Sequence, residues 1–289
     1  MKVLVTGVKG QLGYDAVKEF EKRGHTVVGV DVDEMDITDA SAVSEVLGKV
    51  SPDAVVHCAA WTAVDKAEEF PDKVYEGNAL GAKHIAEECK KLGAKMVFVS
   101  TDYVFEGTGD KPYGINDERK GLSVYGRTKL AGEDFVTAAL DEYYILRITW
   151  AFGINGGNFV KTMLRLADSG KSELNVVDDQ IGSPTYTRDL ASLIGDMIAT
   201  DKYGVYHATN EGFCSCYEFA CEIFRQAGKT VKVNPVTTEE YLKMVPQQAK
   251  RPLNSRLDKS ALDRAGFKRL PDWRDALSRY LTELDATTK

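Results

Sequence analysis

A glycine-rich turn between a strand and a helix most restricts how this chain can fold. Residues 2–6 are an apolar, β-branched run that ends at Gly7, and glycine recurs at Gly10 and Gly13 before an amphipathic stretch. Glycines at this spacing let the backbone approach a pyrophosphate, whose charge is met by free N–H groups at the start of the helix. A plain tight turn is the simpler interpretation, but the flanking strand and helix favour a dinucleotide-binding turn. The cofactor contacts predicted in this turn are Gly7, Gly10, Gln11, Leu12 and Gly13.

An acidic residue follows the second predicted strand. The strand spans 25–30, and Asp31 closes it 18 residues past Gly13. An acid at this place can accept hydrogen bonds from the adenosine ribose hydroxyls, which favours NAD. Lys9, inside the glycine turn, could instead attract the 2′-phosphate of NADP. The two residues point in opposite directions, so the sequence leaves the choice between NADH and NADPH open.

Strands and helices alternate over the first half of the chain. Apolar runs at 53–60, 94–100 and 143–150 predict buried strands, each preceded by a helical pattern. This alternation is typical of an α/β protein with a doubly wound parallel sheet, which is Rossmann-like. We therefore predict a dinucleotide-binding Rossmann domain over 1–150. A smaller mixed substrate-binding lobe is predicted over 151–289, with the chain partly interleaved between the two.

Ligands of such sheets bind at the carboxyl ends of the strands. The third predicted strand ends in Ala59-Ala60, whose small side chains let a cofactor lie close, and Thr101 follows the fourth. The further predicted cofactor contacts are Asp36, Ile37, Ala59, Ala60 and Thr62.

Tyr125 and Lys129 are four residues apart in a predicted helix. Residues at this spacing share one helix face, and an ammonium beside a phenol favours the phenolate and lowers a pKa that is normally near ~10. The phenol could then exchange a proton with a substrate oxygen, and Thr101 could hydrogen-bond the same oxygen. An ordinary amphipathic helix is the simpler interpretation, but the glycine turn and Thr101 favour catalysis. The predicted catalytic residues are Thr101, Tyr125 and Lys129, of which Tyr125 and Lys129 would also bind the cofactor.

Composition limits the partners and the compartment. A net charge of -7 and a pI of about 5.3 argue against nucleic acid or an anionic membrane as a partner. No apolar run approaches the ~20 residues that span a bilayer. The five cysteines are an odd number without a secretion signal, which favours a reducing cytoplasm. Cys214, Cys216 and Cys221 lack the paired spacing of a metal site, so we predict no metal.

Longer motifs run over most of the chain. Those in the first half are Gly7-x-x-Gly10-Gln11-Leu12-Gly13, Ala59-Ala60-Trp61-Thr62-Ala63-Val64-Asp65-Lys66-Ala67-Glu68, Ser100-Thr101-Asp102-Tyr103-Val104-Phe105 and Tyr125-Gly126-Arg127-Thr128-Lys129-Leu130-Ala131-Gly132-Glu133. Those that follow are Leu146-Arg147-x-x-Trp150, Asn158-Phe159-Val160-Lys161-Thr162-Met163, Asp179-Gln180-x-Gly182-x-Pro184-Thr185 and Arg251-Pro252. With these motifs the chain resembles the extended short-chain dehydrogenase/reductases and, among them, the dTDP-4-dehydrorhamnose reductase family.

The resemblance implies a reductase that moves hydride from NADPH or NADH to C4 of a 4-keto-6-deoxy sugar on dTDP. The product would be dTDP-L-rhamnose, a precursor of surface polysaccharide. Similar 4,6-dehydratases carry an acid where Tyr103 stands, and similar epimerases usually carry small residues at Asp102 and Tyr103, so the resemblance favours reduction. Plain packing of Phe105 and Trp150, and a solvated Arg251, are the simpler alternatives. The substrate contacts implied by the resemblance are Thr101, Asp102, Tyr103, Phe105, Trp150, Asn158 and Arg251.

The sequence leaves other functions open. A related ketoreductase or epimerase would keep the chemistry and act on another sugar nucleotide. The regulatory subunit of methionine adenosyltransferase is similar in fold, binds NADP and acts through a partner protein. This chain has all the predicted catalytic residues, which favours an enzyme. Some relatives hold Mg²⁺ between glutamates at a dimer interface, where this chain has Asp15 and Arg188. Because a cation repels a metal ion, we predict no such Mg²⁺ site and a monomer or weak homodimer.

Overall fold

Strands and helices alternate along the computed structural model of the protein, which describes residues 1–246 and 248–288. The strands are β1 (Lys2–Thr6), β2 (Thr26–Val30), β3 (Ala54–His57), β4 (Lys95–Thr101), β5 (Tyr143–Ile148), β6 (Ala151–Phe152), β7 (Glu173–Val177), β8 (Ile181–Gly182), β9 (Thr185–Tyr186), β10 (Gly204–His207), β11 (Asn210–Glu211), β12 (Cys214–Ser215), β13 (Lys232–Val236) and β14 (Leu270–Asp272). The helices are α1 (Gln11–Lys22), α2 (Ala40–Val50), α3 (Val64–Ala67), α4 (Pro71–Tyr75), α5 (Gly81–Leu92), α6 (Val124–Ala139), α7 (Phe159–Asp168), α8 (Thr187–Ile198), α9 (Cys216–Gln226), α10 (Thr238–Met244), α11 (Ser260–Ala265) and α12 (Trp273–Thr288). A π-helical turn, Glu76–Leu80, joins α4 to α5, and a 3-10 turn, Asp102–Val104, follows β4. Within these described ranges, no helix is long and apolar enough to cross a membrane.

Six strands form one parallel sheet in the order β2-β1-β3-β4-β5-β10. The winding reverses between β1 and β3, since β2 lies on one side of β1 and the later strands of the sheet lie on the other. This is the switch point at which open α/β sheets bind ligands. The doubly wound, Rossmann-like fold predicted from the sequence is confirmed.

Helices cover both faces of the sheet because the strands carry apolar side chains on both sides. On one face α1 and α8 contribute Phe20 and Ile194, which are buried in one cluster with Val5 of β1. On the other face α2 and α5 contribute Leu47 and Ile85 to a second cluster. Strands that are buried on two sides carry nearly continuous apolar runs, which is why the sequence predicts them clearly.

The second half of the chain forms a lobe with its own core and also completes the sheet. Phe152, Phe219 and Trp273 are buried in a third cluster that joins β6, α9 and α12. By contrast, β10 lies in the parallel sheet and α8 covers it, although both follow residue 150. The division of the chain at residue 150 stays a prediction.

Two strands are shorter than the apolar runs that predict them. β3 ends three residues before the predicted Ala60, because the Ala59 N–H leaves the strand ladder and donates to the Thr6 hydroxyl at 3.1 Å. β5 ends two residues before the predicted Trp150, which takes a left-handed backbone conformation with φ 45°. In both places the chain turns out of the sheet at the edge where ligands bind.

Candidate active site

A cleft of about 960 Å³ lies along the carboxyl ends of the first five strands. Short segments after each strand build its walls, because parallel strands deliver their ends to the same edge of the sheet. The predicted site residues that line the cleft are Gly7, Gly10, Gln11, Leu12, Gly13, Asp31, Asp36, Ile37, Ala59, Ala60, Thr62, Thr101, Asp102, Tyr103, Tyr125, Lys129 and Trp150. The structure thus brings these residues together, and their binding and catalytic roles stay predictions.

The glycine turn forms a cradle that has no room for side chains. Gly7 has φ 69°, and a Cβ there would lie 2.8 Å from the backbone of Ala59. A Cβ on Gly13 would lie 2.2 Å from the Gly7 carbonyl oxygen, so α1 packs directly against the turn. Gly10 caps α1 without a side-chain hydrogen bond, which leaves the first N–H groups of the helix free to bind a ligand. This cradle fits the pyrophosphate of a dinucleotide.

The carboxylate of Asp31 is held by the backbone at the end of β2. The Lys9 N–H donates to Asp31 Oδ2 at 2.9 Å, and the Val32 N–H donates to Asp31 Oδ1 at 2.9 Å. The Lys9 ammonium pairs with the carboxylate of Asp33 instead, and both of these side chains are mostly exposed. No sequence motif marks Asp33, so this pairing is visible only in the structure.

α6 carries Tyr125 in its first turn. Ser123 caps this helix and accepts a hydrogen bond from the Gly126 N–H at 3.1 Å. A Cβ on Gly126 would lie 2.3 Å from the Tyr103 carbonyl oxygen, so glycine lets the helix approach the turn after β4. The rings of Tyr103 and Tyr125 consequently meet edge to face at 5.4 Å, and the Tyr125 hydroxyl lies close enough to Thr101 for that side chain to affect the pKa of the phenol.

Lys129 lies one turn after Tyr125 and is almost fully buried, with 2% of its surface exposed. Its ammonium lies 4.0 Å from the centre of the Phe98 ring. Burial lowers the pKa of Lys129 to about 7, and the carboxylate of Glu133 opposes this shift. The predicted lowering of the Tyr125 pKa is wrong for this geometry: burial raises the pKa of the phenol, and the nearby Thr101 side chain only partly offsets the effect. Tyr125 therefore keeps its proton at neutral pH.

A buried ion-pair network supports Lys129. Glu133, one turn further along α6, accepts from Ser100 Oγ at 2.6 Å and from Arg147 of β5 at 2.9 and 2.8 Å. The Glu133 and Arg147 side chains are 1% and 2% exposed, and Arg119 adds a second cation at 3.1 Å. Burial would raise the pKa of Glu133, but its bonds to Arg147 hold that pKa below its usual range. Glu133 is not among the predicted site residues, although its spacing of four from Lys129 is a usable signal.

Asp102 supports Thr101 at the end of β4. Its carboxylate accepts hydrogen bonds from Thr101 Oγ1 at 3.0 Å and from the Ser255 hydroxyl. Burial raises the pKa of Asp102 to about 6, and these hydrogen bonds limit the rise. Because the Thr101 and Ser255 hydroxyls both donate to the Asp102 carboxylate, Asp102 orients Thr101. Direct contact of Asp102 with a substrate stays a prediction.

Trp150 lines the cleft with a strained backbone. A φ of 45° is uncommon for a bulky residue and typically marks a functional or tightly packed position. The indole packs against Gly182, where a Cβ would come within 3.0 Å of the ring. The Trp150 carbonyl oxygen accepts a hydrogen bond from the Thr185 N–H at 3.2 Å, which ties the strained turn to β9.

Two predicted substrate contacts lie outside the cleft lining. Phe105 is 1% exposed and stacks on Tyr113 at 4.5 Å. Asn158 caps α7 by accepting from the Lys161 N–H at 3.0 Å, and its amide donates to the Gln11 side chain at 3.0 Å. The aromatic ring belongs to a buried cluster and the amide is occupied by the helix cap and its neighbours, so the structure does not place either side chain on the cleft, and their contact with a substrate stays a prediction.

Arg251 is also outside the cleft lining and is paired with Asp65. Its guanidinium donates to both carboxylate oxygens of Asp65 at 3.0 and 2.9 Å and to the Tyr103 hydroxyl at 3.4 Å. Asp65 also accepts from the Ala249 N–H at 3.0 Å. Asp65 thus ties this late segment to α3, and the predicted contact of Arg251 with a diphosphate would compete with that pair.

Asp15 and Arg188 stand where some relatives hold Mg²⁺ at a dimer interface, and both have partners within this chain. Asp15 is 5% exposed and accepts a hydrogen bond from the Thr187 hydroxyl, while Arg188 pairs with Glu283 at 3.4 Å. Among the described residues, no group of three or more His, Cys, Asp or Glu side chains could hold a metal ion. The absence of a metal and the oligomeric state stay predictions.

A phenol, an amine and a threonine hydroxyl gathered at the strand ends of a Rossmann sheet are the arrangement of the extended short-chain dehydrogenase/reductases. That is the class which the fold and the cleft define. Comparison with known proteins narrows it. Residues 1–286 match the family described as the RmlD substrate binding domain, and the chain belongs to this family.

Relatives match over nearly the whole chain. The chain is 42% identical to the spore coat polysaccharide biosynthesis protein SpsK of Bacillus subtilis (strain 168), over 98% of this chain and 97% of that protein. It is 40% identical to the dTDP-4-dehydrorhamnose reductase of Streptomyces griseus, over 97% of this chain and 93% of that protein. The crystal structure of a dTDP-4-dehydrorhamnose reductase from Clostridium acetobutylicum has a TM-score of 0.95 and 44% identity, covering 99% of this chain and 100% of the other. The Bacillus anthracis enzyme of the same name, solved in complex with NADP, has a TM-score of 0.94 and 41% identity, covering 98% and 99%.

Proposed function

We propose that this chain is an NAD(P)H-dependent reductase of the C4 ketone of a dTDP-4-keto-6-deoxy sugar, converting dTDP-4-dehydro-L-rhamnose to dTDP-L-rhamnose. Family membership and the names of the relatives support this substrate class. The observation that carries the proposal is the gathering of Tyr125, Thr101 and Lys129 on the cleft at the end of β4. The glycine cradle supports a dinucleotide as the second substrate.

Tyr125 is the proton donor in this proposal. The reduced nicotinamide, when bound, supplies the hydride. Because burial raises the pKa of Tyr125, the phenol is in the protonated form that a general acid requires at neutral pH. It gives this proton to the ketone oxygen as the carbonyl carbon is reduced.

Thr101 and Lys129 assist this transfer from two sides. The Thr101 hydroxyl donates to Asp102 and lies close to Tyr125, so it can turn its proton to the same ketone oxygen and stabilise the charge that develops there. Lys129 lies one helical turn from Tyr125 and lines the cleft, so its amine can act on the bound coenzyme rather than on the phenol. Lys129 also has donors to hold the ribose hydroxyls beside the nicotinamide.

The alternatives differ in what they would do with the same cleft. A reductase of another keto-sugar nucleotide would use the same three side chains, and an epimerase would return the hydride to the sugar. A non-catalytic NADP-binding subunit would need the glycine cradle alone. The complete set of Tyr125, Thr101 and Lys129 favours an enzyme over a binding subunit, because binding does not require a proton donor at the cleft.

The substrate is tested by turnover. Purified protein is incubated with NADH or NADPH and a series of dTDP-linked and UDP-linked keto sugars, and the loss of reduced-nicotinamide absorbance is followed. We expect oxidation with dTDP-4-dehydro-L-rhamnose and a product that matches dTDP-L-rhamnose. Coenzyme binding without turnover on any sugar would support the binding subunit, and interconversion of two sugars without net coenzyme oxidation would support an epimerase.

The role of Tyr125 is tested by Tyr125→Phe. Removing the phenolic hydroxyl should lower kcat at least ~100-fold, the usual size of a general-acid contribution, while the Kd for coenzyme changes little. The matched change Tyr103→Phe, on the ring that contacts Tyr125, should act mainly on KM for the sugar nucleotide. Near-normal kcat in Tyr125→Phe would remove Tyr125 from its role.

A further inference from the structure

The segment after β2 places a concentration of negative charge at one end of the cleft. Asp31, Asp33, Glu34 and Asp36 occur within six residues. Asp31 and Asp36 line the cleft directly. In sheets of this kind, the acid at the end of the second strand faces the adenosine ribose of a bound dinucleotide. This end of the cleft is therefore where the 2′-hydroxyl of NADH or the 2′-phosphate of NADPH would lie.

Asp31 cannot turn its charge away from that position. One carboxylate oxygen accepts from the Lys9 N–H and the other from the Val32 N–H, both at 2.9 Å. The Asp31 N–H in turn donates to the Glu34 carboxylate at 2.9 Å, which brings a second negative charge beside the first. A carboxylate that is held in this way keeps acceptors for ribose hydroxyls and repels a phosphate.

The cations that line the cleft do not compensate this charge. Lys129 is at the end of the cleft that holds Tyr125. Lys73 of α4 is on the same side, because its neighbour Val74 packs with Val124 beside Tyr125. Lys9 is the remaining lysine among the described residues of the lining, and its ammonium is paired with Asp33. This pairing raises the pKa of Lys9 and lowers the pKa of Asp33, as expected for an ion pair.

We propose that Asp31 and Asp33 make this chain select NADH over NADPH. Asp31 binds the ribose hydroxyls and repels a 2′-phosphate, and Asp33 holds the ammonium of Lys9, which would otherwise attract that phosphate. The inference rests on the proposed use of the cleft for a dinucleotide and is independent of which sugar is reduced. The fold itself accommodates NADP, since the Bacillus anthracis relative was solved in complex with it, so the proposal concerns only these side chains.

Equilibrium binding tests the preference without any sugar. NADH and NADPH are titrated separately into the full-length protein, and Kd is measured from the change in reduced-nicotinamide fluorescence. We expect NADH to bind at least ~10-fold more tightly at low salt, and the ratio to narrow as salt screens the exposed charges. Equal affinities, or tighter binding of NADPH, would overturn the proposal even if the sugar assignment were correct. Failure of the sugar assay with normal NADH binding would leave this inference intact.

Variants separate the two aspartates. Asp33→Asn frees Lys9 and should tighten NADPH binding ~5-fold or more while NADH binding changes less than ~2-fold, as expected for one exposed charge. Asp31→Asn should weaken NADH binding and tighten NADPH binding together. Lys9→Ala should have little effect alone but should abolish the NADPH gain in the Asp33→Asn background, which is the coupling expected of an ion pair.

A matched control removes the same charge elsewhere. Glu45 is at an exposed position of α2 outside the cleft lining. The substitution Glu45→Gln should therefore leave the affinities for NADH and NADPH unchanged. If Glu45→Gln shifts the NADPH affinity as much as Asp33→Asn, net charge rather than the Lys9–Asp33 pair sets the preference and the proposal fails. A gain in Asp33→Asn that persists without Lys9 would contradict the role given to this pair.

Discussion

Lys129, for which we propose a catalytic role, lowers the stability of the fold around it. The amine is 2% exposed, and burial lowers its pKa from 10.5 to about 7. Between these two values the unfolded chain binds more protons at this site than the folded chain, so the stability of the folded state rises with pH. The cost of burying the charge is therefore fully present below pH 7 and is lost as the pH approaches 10.5. Glu133 reduces this cost, and its own charge is compensated by Arg147.

Lys129→Met should stabilise the protein and abolish activity. The apolar chain of methionine fills a similar volume without the cost of a buried charge, so the free energy of unfolding should rise. This gain should be larger near pH 6 than near pH 10 by at least about 1 kcal/mol. Urea unfolding at the two pH values measures it, with the exposed Lys49→Met as the matched control. A pH-independent difference would show that Lys129 titrates normally in the folded state.

The glycines at the start of α1 leave the backbone N–H groups of the first turn accessible, because no side chain covers them. The helix approaches the turn so closely that a Cβ on Gly13 would lie 2.2 Å from the carbonyl oxygen of Gly7. Real side chains essentially never come this near a backbone atom, so the helix would have to move away from the turn. The N–H groups that we propose to bind a pyrophosphate would move with it.

Gly13→Ala should weaken coenzyme binding at least ~10-fold, because displaced N–H groups no longer converge on the phosphates. The melting temperature should fall as well, since the clash is with backbone rather than with a flexible side chain. Gly48→Ala in α2, where a Cβ meets nothing within 4 Å, is the control and should stabilise by roughly 0.5–1 kcal/mol. Wild-type coenzyme affinity in Gly13→Ala would contradict the cradle.

The two halves of the chain share one sheet. β10 pairs with β5, so the edge of the Rossmann sheet is built by residues that follow the smaller lobe's first elements. Leu190 and Ile194 of α8 are buried in one cluster with Ala16 and Phe20 of α1. A cut at residue 150 would expose this apolar face together with the β5 edge. The active-site cleft would lose part of its wall, because Ala151, Gly157 and Thr187 line it.

A fragment of residues 1–150 should therefore fail to fold cooperatively. Without β10 and α8 it loses the cover of one sheet face, and exposed apolar faces of this kind drive aggregation. The full chain should unfold in a single transition that is the same by far-ultraviolet circular dichroism and by tryptophan fluorescence, which reports on both halves through Trp61 and Trp273. A 1–150 fragment that melts cooperatively and binds NADH would show that the first domain is independent.

Features that depend on neighbouring residues could be predicted well. The alternation of strands and helices, the glycine turn, and the shared face of Tyr125 and Lys129 follow from periods of two and 3.6 residues and from the small size of glycine. Most of the predicted site residues line the cleft for the same reason, since the ends of parallel strands converge at one edge. Phe105 and Asn158 could not be placed, because whether such a side chain faces a cleft or a core depends on packing.

The sequence by itself determined the Rossmann fold and the spacing of Tyr125 and Lys129 on one helix, because local periodicity and a glycine turn are encoded within short segments. Only the tertiary structure decided how the charges are partnered. Lys9 meets Asp33 across 24 residues, and Glu133 meets Ser100 across 33 residues. Such pairs, and the burial that raises the pKa of Tyr125 and lowers that of Lys129, exist only after distant segments have packed together.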